Sequence, residues 1–248
     1  MKKLFVLAIA LILTFSINAQ KVGLKAGYGM SGYVLNFDKP DASKMATGYN
    51  FGIVGEMELG EIAGRLDIGY IQLGSDFFNE GELGGFSFKS DLKTNVNYFQ
   101  IGVAAKKSFG PAYAFGGPYL GYALKNVTNG EITFNDTTAL VEDLDNFKNF
   151  DGSDNDFYNK IDYGVYGGAG LNIKDVFIEV NVGYGLMNFM NKESDTYQAN
   201  TDRAIQINDD GLDAQDENFR YSDGSAAVEE PTQFNLFFGI SAGYLFGF

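Results

Sequence analysis

The sequence predicts an all-β protein, namely an eight-stranded antiparallel up-and-down transmembrane β-barrel that follows a cleaved signal peptide. Three observations lead to this fold class. Runs of about ten residues alternate between apolar and small or polar side chains, which is the strand period. The connections between these runs are alternately short and long, as in outer-membrane barrels. After the N-terminal segment, no stretch approaches eighteen consecutive apolar residues, so the sequence offers no membrane helix.

Residues 1–20 are predicted to be an export signal peptide. Lys2 and Lys3 form a positive start, residues 4–15 are rich in Leu, Ile, Ala and Phe, and Ala19 lies in a small-residue cleavage region. Twelve apolar residues at about 1.5 Å each are too few to cross about 30 Å of hydrocarbon. The folded domain is therefore expected to be residues 21–248, an outer-membrane barrel exported across the inner membrane.

The composition excludes several function classes. The chain has 248 residues, no Cys and no His, and its 18 basic and 32 acidic residues give a net charge of −14. Without Cys or His there is no thiol nucleophile and no histidine base, and no catalytic constellation is recognisable, so we expect no enzyme. We likewise expect no cofactor and no metal site. The negative charge repels phosphate backbones, which argues against nucleic-acid binding.

The predicted strands follow one another at regular intervals. The clearest is the last, residues 234–248, in which every second residue is apolar and most of the others are small or polar. Seven more runs lie at about residues 22–30, 49–58, 65–70, 99–106, 112–124, 161–171 and 178–186. Pro118 and three glycines leave the inward face of the fifth run undetermined. Eight is an even number of strands, as in most single-chain outer-membrane barrels.

Short and long connections predict which end of the barrel faces which compartment. Gly60 and Glu61, and Lys174 and Asp175, form two-residue turns, and residues 107–111 form a third short link; a first-position glycine suits a type II′ turn. Four long connections are predicted at about residues 35–47, 74–91, 126–159 and 189–231. The last two carry 8 and 11 acidic residues, and 1 and 3 basic ones. We therefore expect acidic extracellular loops and periplasmic turns.

The first hairpin places charged residues on the face that points away from lipid. With Gly60 and Glu61 as the turn, Glu56 lies opposite Arg65, and a pair of opposite charges supports this register. The predicted lumen charge network comprises Glu56, Arg65, Asp67, Lys106 and Glu179. One interpretation is an ion or proton path. The favoured one is a structural network, because eight strands enclose little more than their own side chains.

Several segments in order resemble the PorT-type outer-membrane β-barrel family of Bacteroidetes. They are the end of the signal at Asn18, Ala19 and Gln20, residues 98–106, 117–122, 167–170 and 179–186, and the ending at Gly243, Tyr244, Leu245 and Phe246. Gly102 stands where that family often has proline. The resemblance implies an outer-membrane location and insertion by the barrel assembly machinery through a C-terminal aromatic signal, here Tyr244, Phe246 and Phe248. It implies no catalytic residue.

The expected function is that of an integral outer-membrane barrel with a closed lumen and a structural or surface-interaction role through its acidic loops. Its expected partners are outer-membrane lipid, the assembly machinery during insertion, and a surface partner that the sequence does not identify. Two alternatives remain open at this point: a narrow outer-membrane pore, and a secreted soluble β-barrel that binds a small ligand.

Overall fold

A computed structural model describes residues 21–35, 43–83, 86–135, 137–148, 158–189, 191 and 233–247. The predicted signal peptide, the final residue Phe248 and most of the segment 189–231 lie outside these residues. The strands are β1 (Lys21–Leu35), β2 (Ser43–Leu59), β3 (Ile62–Leu83), β4 (Phe86–Phe109), β5 (Ala112–Phe134), β6 (Thr137–Asp145), β7 (Ile161–Ile173), β8 (Val176–Gly185) and β9 (Gln233–Gly247).

All nine strands belong to one antiparallel sheet. The order is β4-β3-β2-β1-β9-β8-β7-β5-β6, and β4 also pairs with β5. The first and last strands pair along their whole lengths, from Lys21 opposite Gly247 to Leu35 opposite Gln233. Strand β5 pairs with β7 from Ala112 to Tyr122 and then with β6 from Val127 to Phe134. Eight strands thus have at least two neighbours each, and β6 lies beside β5 alone among the described strands.

Apolar side chains cover the outer face of this sheet, as the alternation predicts. In β7 the exposed residues Ile161, Tyr163 and Val165 alternate with the buried residues Asp162, Gly164 and Tyr166. The predicted parity of the last strand is confirmed, because Phe238, Ile240, Tyr244 and Phe246 are exposed while Phe237, Ser241 and Leu245 are buried. Among the described residues, none forms a helix long and apolar enough to cross a membrane.

The short turns all lie at one end of the sheet. Leu59 pairs with Ile62 and Ile173 with Val176, which confirms the turns at residues 60–61 and 174–175. Gly60 has a φ of +82° and Lys174 a φ of +60°, the left-handed first position that a type II′ turn requires. The third link is shorter than the predicted 107–111, since β4 continues to Phe109 and only Gly110 and Pro111 form the turn.

At the other end the sheet extends well beyond the predicted strands. The prediction of a long loop at residues 74–91 is wrong, because β3 and β4 stay paired from Gly74 opposite Asn95 to Leu83 opposite Phe86. The predicted loop 126–159 is also partly strand: β5 runs on to Phe134 and β6 follows at residues 137–145. The described part of the chain therefore forms nine strands where eight were predicted. Polar strands of this kind lack the apolar alternation on which the prediction depended.

The fifth strand, whose inward face the sequence left undetermined, contains a bulge. Tyr113, Phe115 and Tyr119 are buried up to this point. The pairing with β4 then shifts, because Asn97 faces Lys125 whereas Tyr98 faces Ala123, which leaves Leu124 as the extra residue. Such an insertion changes which residues point inward. It allows Asn126 and Thr128 to be buried above the bulge.

Aromatic side chains that point into the interior pack against glycines of neighbouring strands. A methyl group added to Gly102 would lie 2.6 Å from the ring of Tyr166, and one on Gly183 would lie 2.1 Å from the ring of Phe237. The same relation joins Phe115 to Gly168, Tyr113 to Gly170 and Phe177 to Gly243. The inward glycines therefore provide room for large side chains. Phe115, Tyr119, Tyr166 and Phe237 also contact one another edge to face.

Candidate functional site

Arg65 lies at the centre of a buried charge cluster in the half of the interior nearest the short turns. It is 1% exposed, and its guanidinium donates to both carboxylate oxygens of Asp67 at 2.8 and 3.0 Å. It also donates to both oxygens of Glu179, on β8, at 2.8 and 2.9 Å. The guanidinium carbon lies 4.1 Å from the ring centre of Phe115. Two bidentate pairs and a stacked ring fix this side chain from three sides.

The two carboxylates of this cluster have further donors. Lys25 donates to Asp67 and lies 3.8 Å from Glu179. The hydroxyl of Tyr166 donates to Asp67 at 2.8 Å, and the hydroxyl of Tyr113 donates to Glu179 at 2.8 Å. Buried carboxylates are stable only with such partners. Both acids are therefore held in place by cations and phenols from several strands.

A second ion pair lies closer to the short turns. Lys106 donates to Glu56 at 2.7 Å, and its ammonium lies 3.9 Å from the ring centre of Tyr113. Together with the Arg65 cluster this makes three cations and three carboxylates: Lys25, Arg65 and Lys106 with Glu56, Asp67 and Glu179. We call these six residues the lumen network. Its formal charge is zero, which lowers the cost of burying it.

The structure brings all five residues of the predicted charge network together. The predicted register is confirmed, since Glu56 is the backbone partner of Arg65. The expected ion pair between them is wrong: Arg65 reaches Asp67 and Glu179, and Glu56 pairs with Lys106. A long guanidinium can span the narrow interior, so the backbone neighbour does not fix the charge partner.

Sequence reasoning missed Lys25, Tyr113 and Tyr166 as members of the site. Lys25 lies on the same inward face of its strand as Gly23 and Gly27, so its parity was available as a signal. The two tyrosines were hidden because aromatic residues are typical of both faces of such strands. Tyr113 also lies in the strand whose inward face was undetermined.

The half of the interior farther from the turns holds a group of hydrogen bonds centred on one acidic residue. Asp162 is 3% exposed and accepts from the hydroxyl of Tyr119 at 3.0 Å and from the amide of Asn235 at 2.8 Å. The same amide donates to the hydroxyl of Tyr98 at 3.2 Å. These contacts join β4, β5, β7 and β9 across the interior. No prediction from the sequence had included Asp162.

Three aromatic residues cover this end of the interior. Phe147 follows β6, Tyr158 precedes β7 and Phe189 follows β8; Phe147 and Phe189 are each 4% exposed. The rings of Tyr158 and Phe189 stack with centres 4.9 Å apart. The amide of Asn146 donates to Asn126 at 3.0 Å and to Thr128 at 2.7 Å, which ties the segment after β6 to β5.

The space left inside is small. One interior cavity measures about 50 Å³ and lies between Lys25, Asn50, Asp67, Gln100 and Phe237. A cavity of this size holds a few water molecules at most. A wider cavity of about 280 Å³ opens at the short-turn end and stops at Glu56 and Lys106. Among the described residues, no group of three or more carboxylates is arranged to hold a metal ion.

One family of known proteins matches most of the chain. The family described as outer membrane protein beta-barrel domain matches residues 18–191. The chain belongs to this family. The family match identifies it as an outer-membrane β-barrel protein. The antiparallel sheet with an apolar outer face is the structure that such a protein requires. A comparison with curated proteins gives no match.

Similar solved structures include a surface protein and an outer membrane protein. Neisserial surface protein A (NspA) is 10% identical, with a TM-score of 0.38, over 90% of this chain and 96% of that one. The outer membrane protein OprG from Pseudomonas aeruginosa is 11% identical, with a TM-score of 0.37, over 93% of this chain and 98% of that one. The family assignment rests on the family match.

Proposed function

We propose that the chain is an integral outer-membrane protein whose eight paired strands close around a blocked lumen, and that it acts structurally or through surface contacts. The observation that supports this proposal is the filled interior. The lumen network blocks the half near the turns, and Phe147, Tyr158 and Phe189 cover the other end. An eight-stranded barrel has room for side chains but not for a water channel.

The outer face supports membrane insertion over the soluble alternative. Along β7, exposed apolar side chains run from Ile161 to Ile173. Twelve steps of about 3.3 Å at a tilt of about 40° make a band about 30 Å tall, enough for the apolar band of about 25 Å on such barrels. A water-soluble protein rarely leaves an apolar surface of this extent exposed.

The proposed surface role depends on charge at the end with long connections. Residues 126–159 and 189–231 together carry 19 of the 32 acidic residues. Because the turns and both described chain ends lie at the opposite end, these segments face the cell exterior in this proposal. Export by residues 1–20, a PorT-type affiliation and the absence of enzymatic activity belong to the same proposal.

The purified, refolded protein is expected to show no stable conductance in planar bilayers and no liposome swelling with sugars. The physical reason is the packed lumen, in which the cavity beside Lys25 and Asp67 measures about 50 Å³ and the wider one at the short-turn end stops at Glu56 and Lys106. A known porin in the same lipid serves as the positive control. Reproducible large currents from the unaltered chain would overturn the blocked lumen and favour the pore.

Phe248→Asp is expected to slow insertion into the outer membrane while changing stability little. In the sequence Phe248 has the same parity as Phe238, Ile240, Tyr244 and Phe246, which are exposed, and a charge near the interface costs about 0–1 kcal/mol on the lipid face. The measurement is the outer-membrane level after induction, compared with the thermal transition of refolded protein. Gly247→Ser is the control, because nothing lies within 4 Å of a methyl group at Gly247. Normal outer-membrane levels of Phe248→Asp would contradict the assembly signal.

A further inference from the structure

Strand β6 extends the sheet beyond the ring and ends it with a free edge. It pairs with β5 from Phe134 opposite Thr137 to Val127 opposite Asp145. Among the described residues, no strand pairs with its other side. Every residue of β6 is exposed or half-buried, and Leu140 is 65% exposed. An edge of this kind presents unpaired backbone donors and acceptors to a further strand.

The open part of the edge is limited by a bulge. Asp143 has a φ of +48°, and its backbone amide donates to the side-chain oxygen of Asn129 at 2.6 Å. The pairing with β5 shifts at this point, between Thr128 and Gly130. The regular edge therefore comprises residues 137–141, enough for a short extended segment.

Acidic side chains surround this edge. Strand β6 carries Glu142, Asp143 and Asp145 and no basic residue, and Glu131 on β5 pairs with Leu140. On other strands of the same extension, Lys44 of β2 and Lys89 of β4 lie over the ring of Phe78 on β3. An extended partner with positive charge would be attracted to β6 in particular.

We propose that the free edge of β6 binds an extended, positively charged segment of a partner protein, which adds to the sheet as a further strand. Main-chain hydrogen bonds to residues 137–141 supply the pairing, and the surrounding carboxylates select for basic side chains. This inference rests on the proposed surface role and specifies its partner. A second copy of this chain fits poorly, because each copy carries a net charge of −14 and the two edges would both be acidic.

The test uses the full refolded chain in detergent and a fluorescent nine-residue peptide in which lysines alternate with threonines. We expect saturable binding by anisotropy that weakens as salt is raised. The same peptide with N-methyl groups on alternate backbone nitrogens keeps its charge but cannot pair as a strand, and we expect at least about tenfold weaker binding from it. Equal binding of both peptides would overturn strand addition.

Two charge variants locate the contact. The first is a triple variant that combines Glu131→Gln, Glu142→Gln and Asp143→Asn. It should weaken binding about tenfold, since three exposed charges are lost. The comparison variant removes three carboxylates of the segment 189–231, by Asp209→Asn, Asp210→Asn and Asp213→Asn, and in this proposal it should change the affinity less than about twofold. A loss in the comparison variant alone would keep the acidic surface role and reject β6. If the peptide binds to no form of the protein, even at low salt, both the acidic surface role and the assignment to β6 are contradicted.

Because the chain has no cysteine, a single introduced cysteine can carry a spin label that reports where the peptide binds. A spin label at Thr138→Cys should be immobilised by the peptide, and a label at Ser108→Cys, at the short-turn end, should not. Thr138 and Ser108 are both exposed, so neither label needs to be buried. Equal responses at the two sites would overturn the assignment to β6.

Discussion

Arg65→Ala is expected to lower the free energy of unfolding by about 3–5 kcal/mol, the cost of removing one partner from a buried ion pair. The variant leaves Asp67 and Glu179 buried with fewer donors, and it opens a void beside the ring of Phe115. Lys25 stays near both carboxylates, so the loss falls toward the lower end if water enters. The measurements are the temperature at which the gel mobility shifts and the urea midpoint of unfolding in detergent. Both are expected to be lower than in the unaltered protein.

The control for Arg65→Ala is an ion pair on the surface. Lys107 donates to Glu61 at 3.0 Å, but both side chains are exposed. Lys107→Ala should therefore change stability by less than about 1 kcal/mol. Arg65→Ala is also expected to stay silent in planar bilayers, because the rings of Phe115, Tyr166 and Phe237 still fill the interior. A wild-type thermal transition for Arg65→Ala would show that the lumen network contributes no stability.

Gly183→Ala is expected to destabilise the protein by about 1–3 kcal/mol, the usual cost of overpacking. A methyl group there would lie 2.1 Å from two ring atoms of Phe237, and that ring also contacts Tyr119. The ring cannot move away without disturbing its neighbours. The unfolding midpoint in urea and the yield of refolded protein report the effect.

Gly64→Ala is the matched control for Gly183→Ala. Its nearest neighbour would be a methyl carbon of Leu59 at 3.4 Å, an ordinary contact, so we expect a change within about 0.5 kcal/mol. Removing the ring should restore part of the loss, because Phe237→Leu in the Gly183→Ala background leaves space for the added methyl. Equal stabilities for Gly183→Ala and Gly64→Ala would contradict the packing role of the inward glycines.

The alternation of apolar residues with small or polar ones was enough to predict most of the strands and which of their side chains face outward. Residues 161–171 and 178–186 were predicted as strands, and the structure has strands at Ile161–Ile173 and Val176–Gly185. Both predictions succeed because an outer face that meets an apolar environment needs an apolar side chain at every second position. The prediction failed for the extended parts of β3, β4 and β5 and for β6. In the proposed arrangement these parts project beyond the membrane, where a sheet needs no continuous apolar face.

The sequence by itself determined the strand period, the two-residue turns and the register that sets Glu56 beside Arg65. These are local properties, or properties of one hairpin, and backbone geometry fixes them within a few residues. Only the tertiary structure decided that Arg65 pairs with Glu179, which lies 114 residues away, and that Asp162 lies among Tyr119 and Asn235. Those contacts cross the interior between strands that are distant in sequence, and long side chains choose among several partners there by fit and by charge.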